Sequence, residues 1–118
     1  SMEMNRALKN EFDNTGLEAD TIELLRLTFS KLPSVKRVVL YGSRAKGTHK
    51  LGSDIDITVE LEDASQGSLA TLFRIQEAIE DLDLIYKFDI SLKNDIQNDT
   101  LIHHIERVGK TIYQRAPS

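Results

Sequence analysis

In the segment Asp54-Ile55-Asp56-Ile57-Thr58-Val59-Glu60, polar and apolar residues alternate at every position. A period of two marks a strand with one buried face. Ile55, Ile57 and Val59 are therefore expected in the core, while Asp54, Asp56, Thr58 and Glu60 share the other face. Both aspartates point the same way. The stretch from Val35 to Tyr41 reads as a second, β-branched strand. Its run Val38-Val39-Leu40-Tyr41 is nearly continuously apolar, which predicts burial on both sides, and Gly42-Ser43 punctuates its end. Leu51-Gly52-Ser53 is a turn that leads into the Asp54 strand.

Helical spacing accounts for much of the rest. Ile22, Leu25, Phe29 and Leu32 predict a helix from about Glu18 to Leu32, stopped by Pro33. Leu69, Leu72, Phe73, Gln76, Ile79 and Leu82 trace another, with Ser65 or Ser68 as N-cap. A strand is expected from about Ile85 to Leu92, with Phe88 and Ile90 on one side and Asp89 and Ser91 on the other. Leu101, Ile102, Ile105 and Val108 form a last helix that Asn98 or Asp99 could cap and Gly109 could end. Met4, Leu8 and Phe12, four apart, suggest a short N-terminal helix or arm with no obvious core duty. The expected order is α-β-β-α-β-α, and residues 1–118 are read as one domain, with Ser1 taken as a tag remnant ahead of Met2.

Composition narrows the class of function. Of 118 residues, 40% are hydrophobic and 29% charged, the balance of an ordinary folded domain, and no apolar run approaches the ~20 residues of a membrane span. The chain has no cysteine, which removes disulfides, thiolate metal sites and thiol nucleophiles and fits a cytoplasmic setting. A net charge of -4 gives no long-range attraction for nucleic acid or for anionic lipid. Its distribution is uneven: between Ser34 and Ser53 there is no acidic residue, yet Lys36, Arg37, Arg44, Lys46 and Lys50 all fall there, directly before Asp54 and Asp56.

The stretch from Tyr41 to Ile57 joins a Gly-Ser, a ten-residue spacer and an Asp-X-Asp. Gly42 allows a sharp turn and close approach to a ligand, and Ser43 opens a short helix whose free N–H groups and dipole favour phosphate. Asp54 and Asp56 offer hard oxygen ligands side by side, as magnesium or manganese prefers when it also takes triphosphate and water oxygens. A two-metal centre needs a third carboxylate, and Asp89, on the polar face of the next strand, is the candidate; it could also assist deprotonation of an acceptor hydroxyl. Without metal, carboxylates crowded this closely raise one another's pKa, so metal should stabilise the fold. Arg44 and Lys46 are placed to meet phosphate oxygens, Arg44 by a planar fork and Lys46 as a point charge.

Taken together, Tyr41-Gly42-Ser43-Arg44-Ala45-Lys46-Gly47, Gly52-Ser53-Asp54-Ile55-Asp56-Ile57 and Phe88-Asp89-Ile90-Ser91 resemble the minimal nucleotidyltransferases of the polymerase-beta superfamily. That family includes the MNT-type antitoxins paired with HEPN-domain proteins. The resemblance runs from about Glu18 to Tyr113, where Leu101 to Tyr113 looks like the family's last helix and tail. It implies an α+β fold, a small mixed sheet with helices packed against it. It also implies metal at Asp54, Asp56 and Asp89, as a pair of magnesium ions or manganese, and ATP phosphates at Gly42 and Ser43. The extra domain by which larger relatives recognise RNA, DNA or antibiotics is missing, so a partner would bring the acceptor. In the antitoxin branch that partner is a HEPN ribonuclease, and AMP goes onto its tyrosine.

Each feature has a plainer reading. An Asp-X-Asp alone belongs more often to a solvated strand edge, and only the Gly-Ser and the third aspartate turn it into a site. Ser43 is by itself an ordinary N-cap, Arg44 and Lys46 a solvated cluster, and Gly47 and Gly52 turn residues. His103 and His104 are adjacent on a helix, point about 100° apart and are read as non-catalytic. His49 is read as facing water, and Asp81 and Asp83 as solvated loop charges. Two other functions compete: a nucleotide-binding module that masks its partner through the Met4-Leu8-Phe12 stripe, or one subunit of a transferase for a small molecule or RNA. A homo- or hetero-oligomer remains open under all three.

Overall fold

The computed structural model describes residues 11–117. Met4 and Leu8 of the N-terminal stripe lie outside them, but Phe12 does not. It is 2% exposed within the main core, so this residue has the core duty that the sequence did not reveal.

The described elements are α1 (Ala19–Ser30), β1 (Val35–Tyr41), α2 (Gly42–Lys46), β2 (Ile55–Leu61), α3 (Leu69–Glu80), β3 (Phe88–Leu92), α4 (Asp99–Val108) and β4 (Lys110–Gln114), with single 3-10 turns at Ala64–Gln66 and Lys93–Asp95. The strands form one mixed sheet in the order β3-β2-β1-β4. β1 pairs antiparallel with β2 and β4, while β2 pairs parallel with β3. Parallel neighbours need a crossover, and α3 supplies it.

Register decides which side chains share a face. Tyr41 lies opposite Asp56 and Val39 opposite Thr58 on β1 and β2, and Asp56 lies opposite Asp89 and Thr58 opposite Ser91 on β2 and β3. The other face carries Val38, Leu40, Ile55, Ile57, Val59, Ile90, Leu92 and Ile112, which pack with Ile22, Leu25 and Phe29 of α1 and Ile75 and Ile79 of α3. The first face is covered more narrowly, by Ile105 of α4 against Val39 and Tyr41. The apolar run of β1 is thus buried from both sides, as its composition predicts.

Sequence expectation and structure part at three places. In α3, Leu69 and Phe73 are 64% and 54% exposed, and the buried stripe is Thr71, Ile75 and Ile79; Ser68 is the N-cap, accepting from the Thr71 N–H. The third strand begins at Phe88 rather than Ile85, which is 94% exposed. Beyond Gly109 the chain does not trail off but forms β4, tied to α1 by Arg26, whose Nε donates to the Ile112 carbonyl (2.6 Å). Asn98 caps α4 through the Leu101 N–H. No helix among the described residues is long and apolar enough to cross a membrane.

Candidate active site at the end of the central strands

β1 ends at Tyr41, and the chain turns at Gly42 with φ +75°. A side chain there would be doubly disfavoured: the backbone lies in the left-handed region, and a Cβ would collide with the Asp56 carboxylate. The close approach that glycine permits is therefore to Asp56. The five-residue helix α2 follows and ends at Gly47, also left-handed at φ +77°, with the Gly47 and Thr48 N–H groups returning to the Arg44 and Ser43 carbonyls. Ser43 is half-buried at its start and Lys46 exposed at its end. This seats the Gly-Ser turn directly against β2.

Asp56 and Asp89 are register partners on adjacent parallel strands, so their side chains stand on the same face about 4.8 Å apart in the strand-to-strand direction. Asp54, two residues before Asp56 in the alternating segment, is exposed just ahead of β2 and walls a cleft of about 520 Å³ with His49, Ser53, Tyr86 and Lys87. Burial, then the charges of Asp89 and Asp54, hold the Asp56 carboxyl above the ordinary aspartate range, and only His104 acts the other way. The Tyr41 phenol is also pushed up, chiefly by burial, with Asp56 and Asp89 adding to the shift. The site is negative and undercompensated.

Those carboxylates suit a divalent cation in donor type and in mutual repulsion. Among the described residues no three Asp, Glu or His side chains are grouped tightly enough to hold an ion unaided. Magnesium sites of this kind draw on one or two carboxylates and complete the shell with water and substrate phosphates. The donor set fits that mode of binding rather than an all-protein cage.

Other sequence-assigned residues fare differently. Arg44 is corrected: it is 4% exposed, its Nε and Nη2 donate to the Ser53 carbonyl (3.1 and 2.9 Å) and its Nη1 to the Thr15 carbonyl (2.8 Å). Its guanidinium also lies 5.2 Å from the Tyr86 ring centre. A fork committed to two main-chain carbonyls anchors the loop before Asp54 and is not free to reach out to phosphate. His103 is exposed, but His104 turns inward and accepts the Gly42 N–H at Nε2 (3.0 Å). The sequence carried no local signal for that contact, because it joins positions 62 residues apart.

Comparison with protein families gives a match to polymerase beta, nucleotidyltransferase, over residues 23–118. The chain belongs to that family. It is accordingly a nucleotidyltransferase of polymerase beta-like fold, with the mixed four-stranded sheet described above. Among solved structures, it is similar to a toxin-antitoxin crystallised with AMP-PNP, at 23% identity and TM-score 0.60, over 84% of this chain and 75% of the other. It is also similar to a chain from the complex of a tri-AMPylated Shewanella oneidensis HEPN toxin with MNT antitoxin, at 20% identity and TM-score 0.52, over 80% and 73%. A third, from the toxin-antitoxin MntA-HepT, has 19% identity and TM-score 0.53, over 79% and 68%. At these identities the likeness is one of fold. No curated protein matched the sequence.

Proposed function

We propose that this nucleotidyltransferase moves AMP from ATP onto a hydroxyl of a partner protein, a tyrosine of a HEPN-type toxin, and so serves as its antitoxin in the cytoplasm. The observation that carries the chemistry is the pairing of Asp56 with Asp89 beside a Gly-Ser turn packed on Asp56. The choice of acceptor draws on the neighbours in fold, which include an AMPylated HEPN toxin bound to MNT antitoxin.

Asp54, Asp56 and Asp89 would hold divalent cations, magnesium or manganese, whose contribution is to neutralise charge on the attacking and leaving oxygens. Ser43, through its hydroxyl and N–H, and Lys46, through its ammonium, hold triphosphate oxygens. The acceptor oxygen attacks the α-phosphorus, a new P–O bond forms, the bond to the β-phosphate breaks, and pyrophosphate leaves with that electron pair. Asp89 accepts the hydroxyl proton. Arg44 keeps the Asp54 loop in position from behind.

The test is incubation with α-labelled ATP, magnesium and the HEPN-domain product of a neighbouring gene. The partner should become labelled, and the Asp54→Asn, Asp56→Asn double variant should lower transfer by at least about 100-fold, the scale on which single transition-state contacts act. Unchanged labelling removes the proposed site, and inhibition of the partner that survives the double variant without labelling identifies masking as the activity.

A further inference from the structure

We propose that His104 is a positioning residue, fixing the Gly42 turn, and through it the Asp56 carboxylate, by accepting the Gly42 N–H. The kinetic part rests on the functional reading above; the structural part rests on geometry alone. The first N–H groups of a helix have no partner within it. Tyr41, the residue before α2, supplies no side-chain cap. The partner comes instead from α4, whose His104 Nε2 lies 3.0 Å from the Gly42 nitrogen. Accepting at Nε2 requires the neutral ring with its proton on Nδ1.

The ring is held from other directions as well. It meets Tyr41 edge-on, with centroids 6.2 Å apart and planes at 82°. The next residue, Ile105, is buried against Val39 and Tyr41 and fixes the rotation of α4. Gly42 in turn packs against the Asp56 carboxylate in the space a Cβ would need. A glycine touched by an imidazole at its N–H and by a carboxylate at its Cα cannot shift without moving both. Because His104 occupies the Gly42 N–H, phosphate contacts fall to Ser43 and the residues after it. A displacement of about 1 Å at such a centre can cost on the order of 100-fold in rate.

Three variants separate positioning from bulk structure. His104→Phe keeps a ring edge against Tyr41 and removes the acceptor; His104→Gln returns an acceptor near the place of Nε2; His103→Phe alters the exposed neighbour. The readouts are amide hydrogen exchange at Gly42 in the metal-free protein, and kcat and KM for ATP in transfer to the HEPN-domain partner. For His104→Phe, Gly42 exchange should rise at least about tenfold, and kcat should fall about 10- to 100-fold with KM changed much less. His104→Gln should recover most of both, and His103→Phe should match the wild type. Unchanged Gly42 exchange in His104→Phe, a freed amide with unchanged kcat, or equal losses in the Phe and Gln variants each overturn the proposal. Should the wild type transfer nothing, the functional reading falls, and the exchange result alone decides the positioning.

Discussion

Asp56 is half-buried between Tyr41 on β1 and Asp89 on β3, and its carboxyl is held above the ordinary value of 3.8 by burial and by the charges of Asp89 and Asp54. A carboxyl with a raised native pKa favours the fold while protonated. That contribution is complete below the unfolded value and is lost as pH rises through the native one. In chelator, the stability due to Asp56 should therefore decline from about pH 3.8 upward, opposite to the usual effect of a salt-bridged carboxylate. Asp56→Asn removes the repulsion, so at pH 7 its thermal midpoint should lie above wild type, by a margin that solvent screening of this half-exposed group keeps small. The difference should vanish near pH 3. Thermal scans across that range check it, and a variant less stable than wild type at pH 7 contradicts the strain. At this scale the motif spacing revealed the carboxylates and the Gly-Ser turn. It misassigned Arg44, whose anchoring depends on the Thr15 carbonyl, and passed over His104, whose contact depends on how α4 is seated.

Among the elements, the strands were the most legible. Strict alternation in Asp54–Glu60 identifies the face of Asp56, and the same logic in Phe88-Asp89-Ile90-Ser91 puts Asp89 on the matching side, which the parallel register bears out. α3 was harder. Leu69 and Phe73 fit a helical stripe as well as Ile75 does, and the angle at which the helix meets the sheet selects Thr71, Ile75 and Ile79. β4 was missed because its five residues become a strand only by pairing with β1, some 70 positions earlier. The corrected stripe has a measurable consequence. Ile75→Ala should cost about 2–5 kcal/mol in urea unfolding, as for a buried isoleucine, whereas Phe73→Ser should stay within about 0.5 kcal/mol, as at an exposed site. Equal costs would mean that α3 is rotated from its described seat.

On the scale of the whole molecule, the sheet is a partition with unequal sides. One face carries the core beneath α1 and α3; the other carries the carboxylates and is roofed only in part by α4. The turn after β1, the start of β2 and the polar face of β3 thus meet at one end, beside the loop anchored by Arg44 and the ring of His104. Lys46 and Lys50 lie at this end together with the buried Arg44, whereas Lys36 and Arg37 pair with Glu60 at the opposite end of β1 and β2, so on the proposed reading a triphosphate would meet a mixed field in which its own counterions complete the balance. The most direct measurement is anomalous diffraction from crystals grown with manganese and AMP-PNP. The account predicts manganese within ligand distance of Asp56 and Asp89, with Asp54 and phosphate oxygens completing the shell and the triphosphate against Ser43. Manganese bound elsewhere, or a triphosphate lying away from the Gly42-Ser43 turn, would contradict it.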